Sequence, residues 1–142
     1  MAKSKGRLSP AQYEILQAIW DVGAPGATRM QIWERISQNR KVVRTTIVNL
    51  VDRLEARGWL KRIEQEGSLL FWPTAARDHV EADMAEDFVK SFFGGSASHL
   101  VMSLLGRQQI TPEEVERLRE VYNEAVAKRA KKRGDEPKRK KS

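Results

Sequence analysis

An amphipathic helix with an unusual outer face is predicted by the stretch RTTIVNLVDRL, residues 44–54. Its apolar residues recur at i, i+3, i+4 and i+7, the spacing of one helical stripe packed on a core. These residues are Ile47, Leu50, Val51 and Leu54. The outer face holds Thr45, Thr46, Val48, Asn49, Asp52 and Arg53. Because Thr, Val and Asn form helix less readily than Glu, Lys or Gln, we infer that this face serves something other than helix formation.

Two helices with explicit start signals precede this stretch. Ser9 begins SPAQ and Thr28 begins TRMQ, and in both a hydroxyl cap is followed three residues later by Gln. The spacing predicts helices over residues 10–21 and 29–37, and the third helix extends to residue 57, where Gly58 stops it. The residues predicted to be buried in the first two helices are Tyr13, Leu16, Ile19, Trp20, Met30, Trp33 and Ile36.

A β-hairpin is predicted directly after the third helix. The extended runs WLKRIEQE and LLFWP flank a turn at Gly67 and Ser68, and Pro73 ends the second run. Three helices followed by a two-stranded hairpin predict a mainly α fold of the winged helix-turn-helix type. In that fold the third helix enters a DNA major groove and the hairpin forms the wing.

The second half of the chain is predicted to be helical throughout. Helices are expected over residues 78–93 and 97–105, and a last helix follows the cap at Thr111. Because this helical region is small, it has little interior of its own. Its apolar stripes therefore predict pairing with a second copy of the chain. Folding back onto the first domain is the alternative. The predicted dimerisation residues are Val80, Met84, Phe88, Phe92, Leu100, Leu104, Val115, Leu118 and Tyr122.

Composition and charge divide the chain further. It has 142 residues, a formal net charge of +7 and no Cys, which excludes disulfides and thiolate metal sites. We predict a basic arm at residues 1–7, a winged-helix domain at 8–75, a helical dimerisation domain at 76–130 and a disordered basic tail at 131–142. No apolar run approaches the ~18 residues of a membrane span, so a cytoplasmic protein without a membrane partner is expected.

Catalysis is not predicted, and neither a metal ion nor a cofactor is expected. His79 and His99 stand in no metal-binding pattern, and no glycine-rich phosphate loop follows a predicted strand. Two alternatives to a DNA-binding repressor stay open. One is another winged-helix regulator, either ligand-sensing or activating. The other is a protein-docking module, which would favour apolar anchors on the outer face of the third helix, where only Val48 is apolar.

Five segments, together with the third helix, resemble the penicillinase repressor family of bacterial transcription regulators. They are LSPAQYEILQAIWDVG, RLEARGWLKRI, EGSLLFWP, FFGGSASHLVMSLL and ITPEEVERLREVY. The resemblance covers residues 8–127 and implies a homodimer that represses transcription from a palindromic operator on double-stranded DNA. Carried over position by position, it implies DNA contacts by Arg44, Thr45, Thr46, Val48, Asn49 and Arg53 on the third helix and by Lys61, Arg62 and Ser68 on the wing.

Physical chemistry divides these contacts into two kinds. Asn49 can pair bidentately with adenine, and the methyl groups of Thr or Val can touch a thymine methyl group. Arg53 lies further along the helix and is expected to hold a phosphate, which positions the protein without reading sequence. Asp52 is expected to pair with a neighbouring basic residue, since a carboxylate near phosphate is repelled.

Two departures from the family's pattern concern regulation and the end of the chain. Well-known members leave DNA when a membrane sensor triggers cleavage at an Asn-Phe bond, and Ser103 and Leu104 stand at that place here. A protease or sensor system is therefore expected as a partner only through the resemblance. The basic tail extends beyond the family's length and either adds sequence-independent attraction to DNA or serves solubility alone.

Overall fold

The computed structural model describes residues 6–132 and Gly134. In this part of the chain the elements are α1 (Pro10–Val22), α2 (Arg29–Ser37), α3 (Arg44–Ala56), β1 (Leu60–Gln65), β2 (Ser68–Pro73), α4 (Arg77–Ser91), a 3₁₀ turn (Phe93–Gly95), α5 (Ala97–Gly106) and α6 (Pro112–Lys132). The predicted mainly helical fold with a two-stranded hairpin is confirmed. Most of the predicted arm and tail, residues 1–5, 133 and 135–142, lies outside the described residues.

The first two helices begin at the predicted capping boxes. The Ser9 hydroxyl accepts the Gln12 backbone N–H at 3.1 Å, and the Gln12 side chain accepts the Ser9 N–H at 3.0 Å. Thr28 and Gln31 repeat this exchange at 3.0 and 2.8 Å. Helix α3 differs, because it follows Val43 and no side chain of the described residues caps it. Its first backbone N–H groups are left for other acceptors.

The chain divides into two compact units, the first ending at Phe88 and the second beginning at Val89. The predicted domain boundary, between residues 75 and 76, lies earlier than this division because most of α4 belongs to the first unit. Val80 is 2% exposed in the core of that unit, and Met84 packs partly buried against the same core. The prediction that Val80 lies on a dimer face is therefore wrong, since its own unit buries it, and Met84 is engaged there too.

The core of the first unit forms where the stripe of α3 meets α1 and α2. Its buried members from these helices are Ile15, Leu16, Ala18, Ile19, Ile32, Ile36, Ile47, Val51 and Leu54. Tyr13, Trp20, Trp33 and Leu50 are only partly buried. The prediction of a buried Met30 is wrong: its side chain is 40% exposed. Ile32 and Ile36, one helical turn apart, set the inward face of α2 and leave Met30 outside it.

The hairpin reverses direction at Glu66 and Gly67, one position earlier than predicted. Gln65 pairs with Ser68 across the turn, so Ser68 belongs to β2. The φ angles of Glu66 and Gly67 are 50° and 79°. Positive φ at both central positions is typical of a type I′ turn, whose twist matches that of the flanking strands.

A backbone contact that the sequence did not predict ties the hairpin to the loop before α2. Ala27 and Phe71 exchange two hydrogen bonds, with N to O distances of 3.1 and 2.8 Å. Gly26 permits this approach, since a Cβ at this position would lie 2.7 Å from the Phe71 carbonyl oxygen. The base of the wing is thereby fixed to the entry of α2.

Candidate nucleic-acid interface

The outer face of α3 presents the predicted contact residues to solvent. Arg44, Thr45, Thr46, Asn49 and Arg53 are exposed, and Val48 is half-buried. The fully buried stripe on the opposite side fixes the rotation of the helix, so this polar face points away from the core. On the hairpin, Lys61, Arg62 and Ser68 are exposed as well.

The amino end of α3 is held by a side chain from α2. The Trp33 indole Nε1 donates to the Val42 carbonyl oxygen at 2.8 Å, in the backbone that leads into α3. The guanidinium carbon of Arg44, the first residue of α3, lies 4.9 Å from the centroid of the Trp33 ring. The sequence predicts Trp33 only as a core residue. Its apolar spacing on α2 carried no signal for either contact.

One ion pair joins α2 to α3, and a second joins the wing to α3. Arg29 donates to Asp52 Oδ1 at 2.7 and 3.2 Å, which confirms the predicted pairing of Asp52. Arg62 on β1 donates to both carboxylate oxygens of Glu55 at 2.7 and 2.8 Å, and this hydrogen bonding lowers the pKa of Glu55. Both guanidinium carbons also lie near the buried Phe71 ring, 4.8 and 5.7 Å from its centroid. The charge of Arg62 is therefore largely offset within the protein.

Four other cations of the helix-turn-helix and wing have no acidic partner among the described residues. They are Lys41, Arg44, Arg53 and Lys61. Lys41 is exposed in the turn between α2 and α3 and was missed by sequence reasoning, although its place in that turn was a usable signal. Exposed cations of this kind attract polyanions, because no carboxylate in the described part of the chain competes with a phosphate for them.

The tip of the wing has the opposite charge. Glu64 and Glu66 are exposed beside the turn, whereas Lys61 lies nearer the base of β1. A carboxylate near a phosphate raises the energy of the complex, so the hairpin is suited to touch a polyanion through its base. Among residues 6–132 and Gly134, no group of His, Asp and Glu side chains is arranged to hold a metal ion. Within the same residues, no helix has the length and apolar character that crossing a membrane requires.

The class of this protein follows from its three helices, the last with an exposed polar and cationic face, and from the antiparallel hairpin after them. It is a winged helix-turn-helix DNA-binding protein. Comparison with known proteins narrows the class. The family model for the penicillinase repressor matches residues 8–124, and the chain therefore belongs to the penicillinase repressor family. It is a DNA-binding transcriptional repressor, and the family is not a class of enzymes.

Individual relatives are similar over most of their length. A penicillinase repressor from Staphylococcus aureus is 24% identical over 128 residues, which cover 90% of this chain and all of the relative. The methicillin resistance regulatory protein MecI from Mammaliicoccus sciuri is 22% identical over 82% of this chain and 93% of its own. Among solved structures, a MarR family protein from Bacillus stearothermophilus is 20% identical, covers 87% of this chain and 79% of its own, and has a TM-score of 0.47.

Proposed function

We propose that the protein represses transcription as a homodimer on a palindromic operator, with α3 of each protomer in a major groove. The observation that carries the proposal is the face of α3, where short polar side chains are exposed beside cations that have no acidic partner among the described residues. A protein-docking surface would instead need large apolar anchors. The one apolar candidate on this face, Val48, is half-buried.

The residues of the interface divide into those that contact bases and those that contact phosphates. Thr45, Thr46 and Asn49 are short enough to reach base edges near the amino end of an inserted helix. Arg53, Lys41 and Lys61 hold phosphates, which fixes the register of the protein on the duplex. We assign Arg62 and Asp52 a structural role beside the interface, because each already has an ionic partner within the protein.

The proposed dimer is supported by the second unit. Helices α5 and α6 bury none of their described side chains. Of the predicted dimerisation residues, Leu100 and Val115 are half-buried, while Phe88, Phe92, Leu104, Leu118 and Tyr122 are exposed. Exposed apolar side chains on a helix need a covering surface, and a second copy supplies one with two-fold symmetry. That symmetry requires half-sites separated by about one helical turn, ~34 Å, or by a multiple of it.

Selection of random duplex DNA on the full-length protein tests this proposal directly. We expect a palindrome whose half-sites have the stated spacing. Asn49→Ala should then reduce the preference for that sequence over others by on the order of 1–3 kcal/mol, because base contacts carry discrimination. Arg53→Ala should weaken binding to all sequences similarly and flatten the salt dependence, because a phosphate contact releases counterions.

Arg117→Ala is the matched control for Arg53→Ala. It removes the same charge from an exposed position on α6, where the one acidic partner of Arg117 among residues 6–132 and Gly134 is the exposed Glu120, at 3.2 Å. Its binding curves should equal those of the unaltered protein at every salt concentration. If selection recovers no motif, or if Asn49→Ala and Arg53→Ala lose affinity equally on all sequences, α3 does not read DNA in this way.

A further inference from the structure

The first side chain of α3 is restrained by the protein itself. One residue of α2, Trp33, contacts the chain on both sides of the helix start. Its indole N–H holds the Val42 carbonyl oxygen at 2.8 Å, and its ring lies 4.9 Å from the guanidinium carbon of Arg44. Between them stands Val43, which precedes the helix and has an extended backbone. Trp33 therefore sets both the direction in which α3 begins and the place of its first guanidinium.

Such a restraint matters more for recognising a base than for attracting a phosphate. A guanidinium stacked on an aromatic ring keeps its N–H donors at its edge, in a planar fork that matches two acceptors lying in one plane. A side chain already held in place also loses less conformational freedom on binding. Attraction to a phosphate needs only a nearby positive charge, which Lys41, Arg53 and Lys61 supply without a comparable ring contact in the part of the chain that the structure describes.

We propose that Arg44 reads a guanine in the major groove and that Trp33 is its positioning residue. The inference rests on the proposed function, because it requires α3 to lie in the groove. Residues at the amino end of an inserted helix contact base edges, and Arg pairs bidentately with O6 and N7 of guanine. Arg44 is exposed and has no acidic partner among the described residues, so its donor edge is available to a base. Each half-site of the operator should then contain one G·C pair that depends on Arg44.

Selection of random duplexes with Arg44→Lys and Arg44→Ala, beside the unaltered protein, tests the role of Arg44. Both variants should lose preference at one G·C position in each half-site, with discrimination there falling roughly tenfold to a hundredfold. Arg44→Lys should fail like Arg44→Ala, since a lysine cannot form the bidentate pair. A uniform loss on all sequences for Arg44→Ala, rescued by Arg44→Lys, would identify a phosphate contact and overturn the inference.

Trp33→Phe and Trp33→Leu test the positioning role. Phe keeps a ring but loses the N–H donor, and Leu loses both contacts. Both variants should relax the same guanine position while preference at the other positions stays, and Trp33→Phe added to Arg44→Ala should cause no further loss there. A merely structural role would instead lower the melting temperature and weaken all positions evenly, and that outcome would overturn the positioning role.

Trp20→Phe and Trp20→Leu are the matched controls. Trp20 is also partly buried, and its ring lies 5.3 Å from the guanidinium carbon of Arg77, the first residue of α4. These changes should leave the guanine preference intact. The two proposals fail in different ways. Absence of any motif for the unaltered protein contradicts the proposed function, whereas a motif without an Arg44-dependent guanine contradicts only the present inference.

Discussion

The two units of this chain differ in how far they bury their apolar side chains. In the first unit, Ile15, Ile47 and Phe71 are completely buried. In the second, none of the described residues is buried, and the exposed fractions of Phe92 and Tyr122 are 55% and 68%. Amphipathic spacing occurs in both. The difference is that the stripes of the first unit meet one another within the chain.

This contrast shows that a helical stripe indicates a buried face without saying what buries it. The first unit packs three helices, the hairpin and most of α4 around one core, so its stability belongs to the single chain. The second unit offers apolar surface that has no interior to enter, which is the property of an interface. We therefore expect its stability to depend on protein concentration, as the proposed dimer requires.

The largest expected effect is on the core of the first unit. Phe71→Ala should lower the free energy of unfolding by about 3–5 kcal/mol, because it removes a fully buried ring near which the guanidinium groups of Arg29 and Arg62 also lie. Urea denaturation followed by circular dichroism measures this loss, which should be independent of protein concentration. Phe92→Ala is the control in the second unit. An equal, concentration-independent loss for both variants would remove the distinction between the units.

The next effect is on association. Leu118→Ala should weaken the proposed dimer by about 1.5–3 kcal/mol for the two copies together, because Leu118 is 47% exposed in one chain and a partner would cover that remaining half of each side chain. Sedimentation equilibrium should show the dissociation constant rising roughly tenfold or more. Glu124→Ala, at an exposed position on another face of α6, should leave association unchanged. If the dissociation constant is unchanged by Leu118→Ala, the dimer interface does not include this face of α6.

Local signals explain what could be predicted from the sequence. The Ser9 and Thr28 caps, the stripe of α3 and the order of three helices and a hairpin depend on residues close together in the chain. The exposed face of α3 follows from the same periodicity, since residues opposite a buried stripe must face solvent. The sequence predicts the wing turn one position too late, because Glu at φ 50° is an unusual choice where Gly or Asn is preferred.

What could not be predicted depends on side chains that meet from distant parts of the chain. Val80 carries the same apolar spacing as Phe88 and Phe92, and only the packing of α4 against the first unit places it in a core. The pairing of Arg29 with Asp52 spans 23 positions, and no local pattern selects Arg29 over another cation. For the same reason the sequence predicts a DNA contact by Arg62 but carries no signal for the pairing of Arg62 with Glu55.

A smaller effect is expected at the wing turn, which belongs to neither core. Glu66→Asn should raise the free energy of unfolding by about 1 kcal/mol, because Asn adopts positive φ more readily and favours the first central position of a type I′ turn. Thermal unfolding measures the gain. Glu64→Asn removes the same charge from an extended strand position and should give no such gain. Equal stabilisation by both changes would attribute the effect to charge and not to the backbone.

The smallest expected effect concerns α4, most of which belongs to the first unit. It tests a contact between α4 and α1 that lies within that unit alone. Glu81 accepts hydrogen bonds from the Tyr13 hydroxyl and from Arg77 Nε, the latter at 3.1 Å, and these bonds hold the pKa of Glu81 below its ordinary 4.5. A carboxyl whose pKa is lowered by folding stabilises the protein above the unfolded pKa, and this contribution disappears as the pH falls through the folded pKa. We therefore expect Glu81→Gln to lose stability at neutral pH and to show a weaker decline on acidification than the unaltered protein. Denaturation at a series of pH values measures both effects, with Glu86→Gln, an exposed carboxylate on the same helix, as the control. If the two variants have identical pH profiles, the contact between α1 and α4 does not contribute to the stability of the first unit.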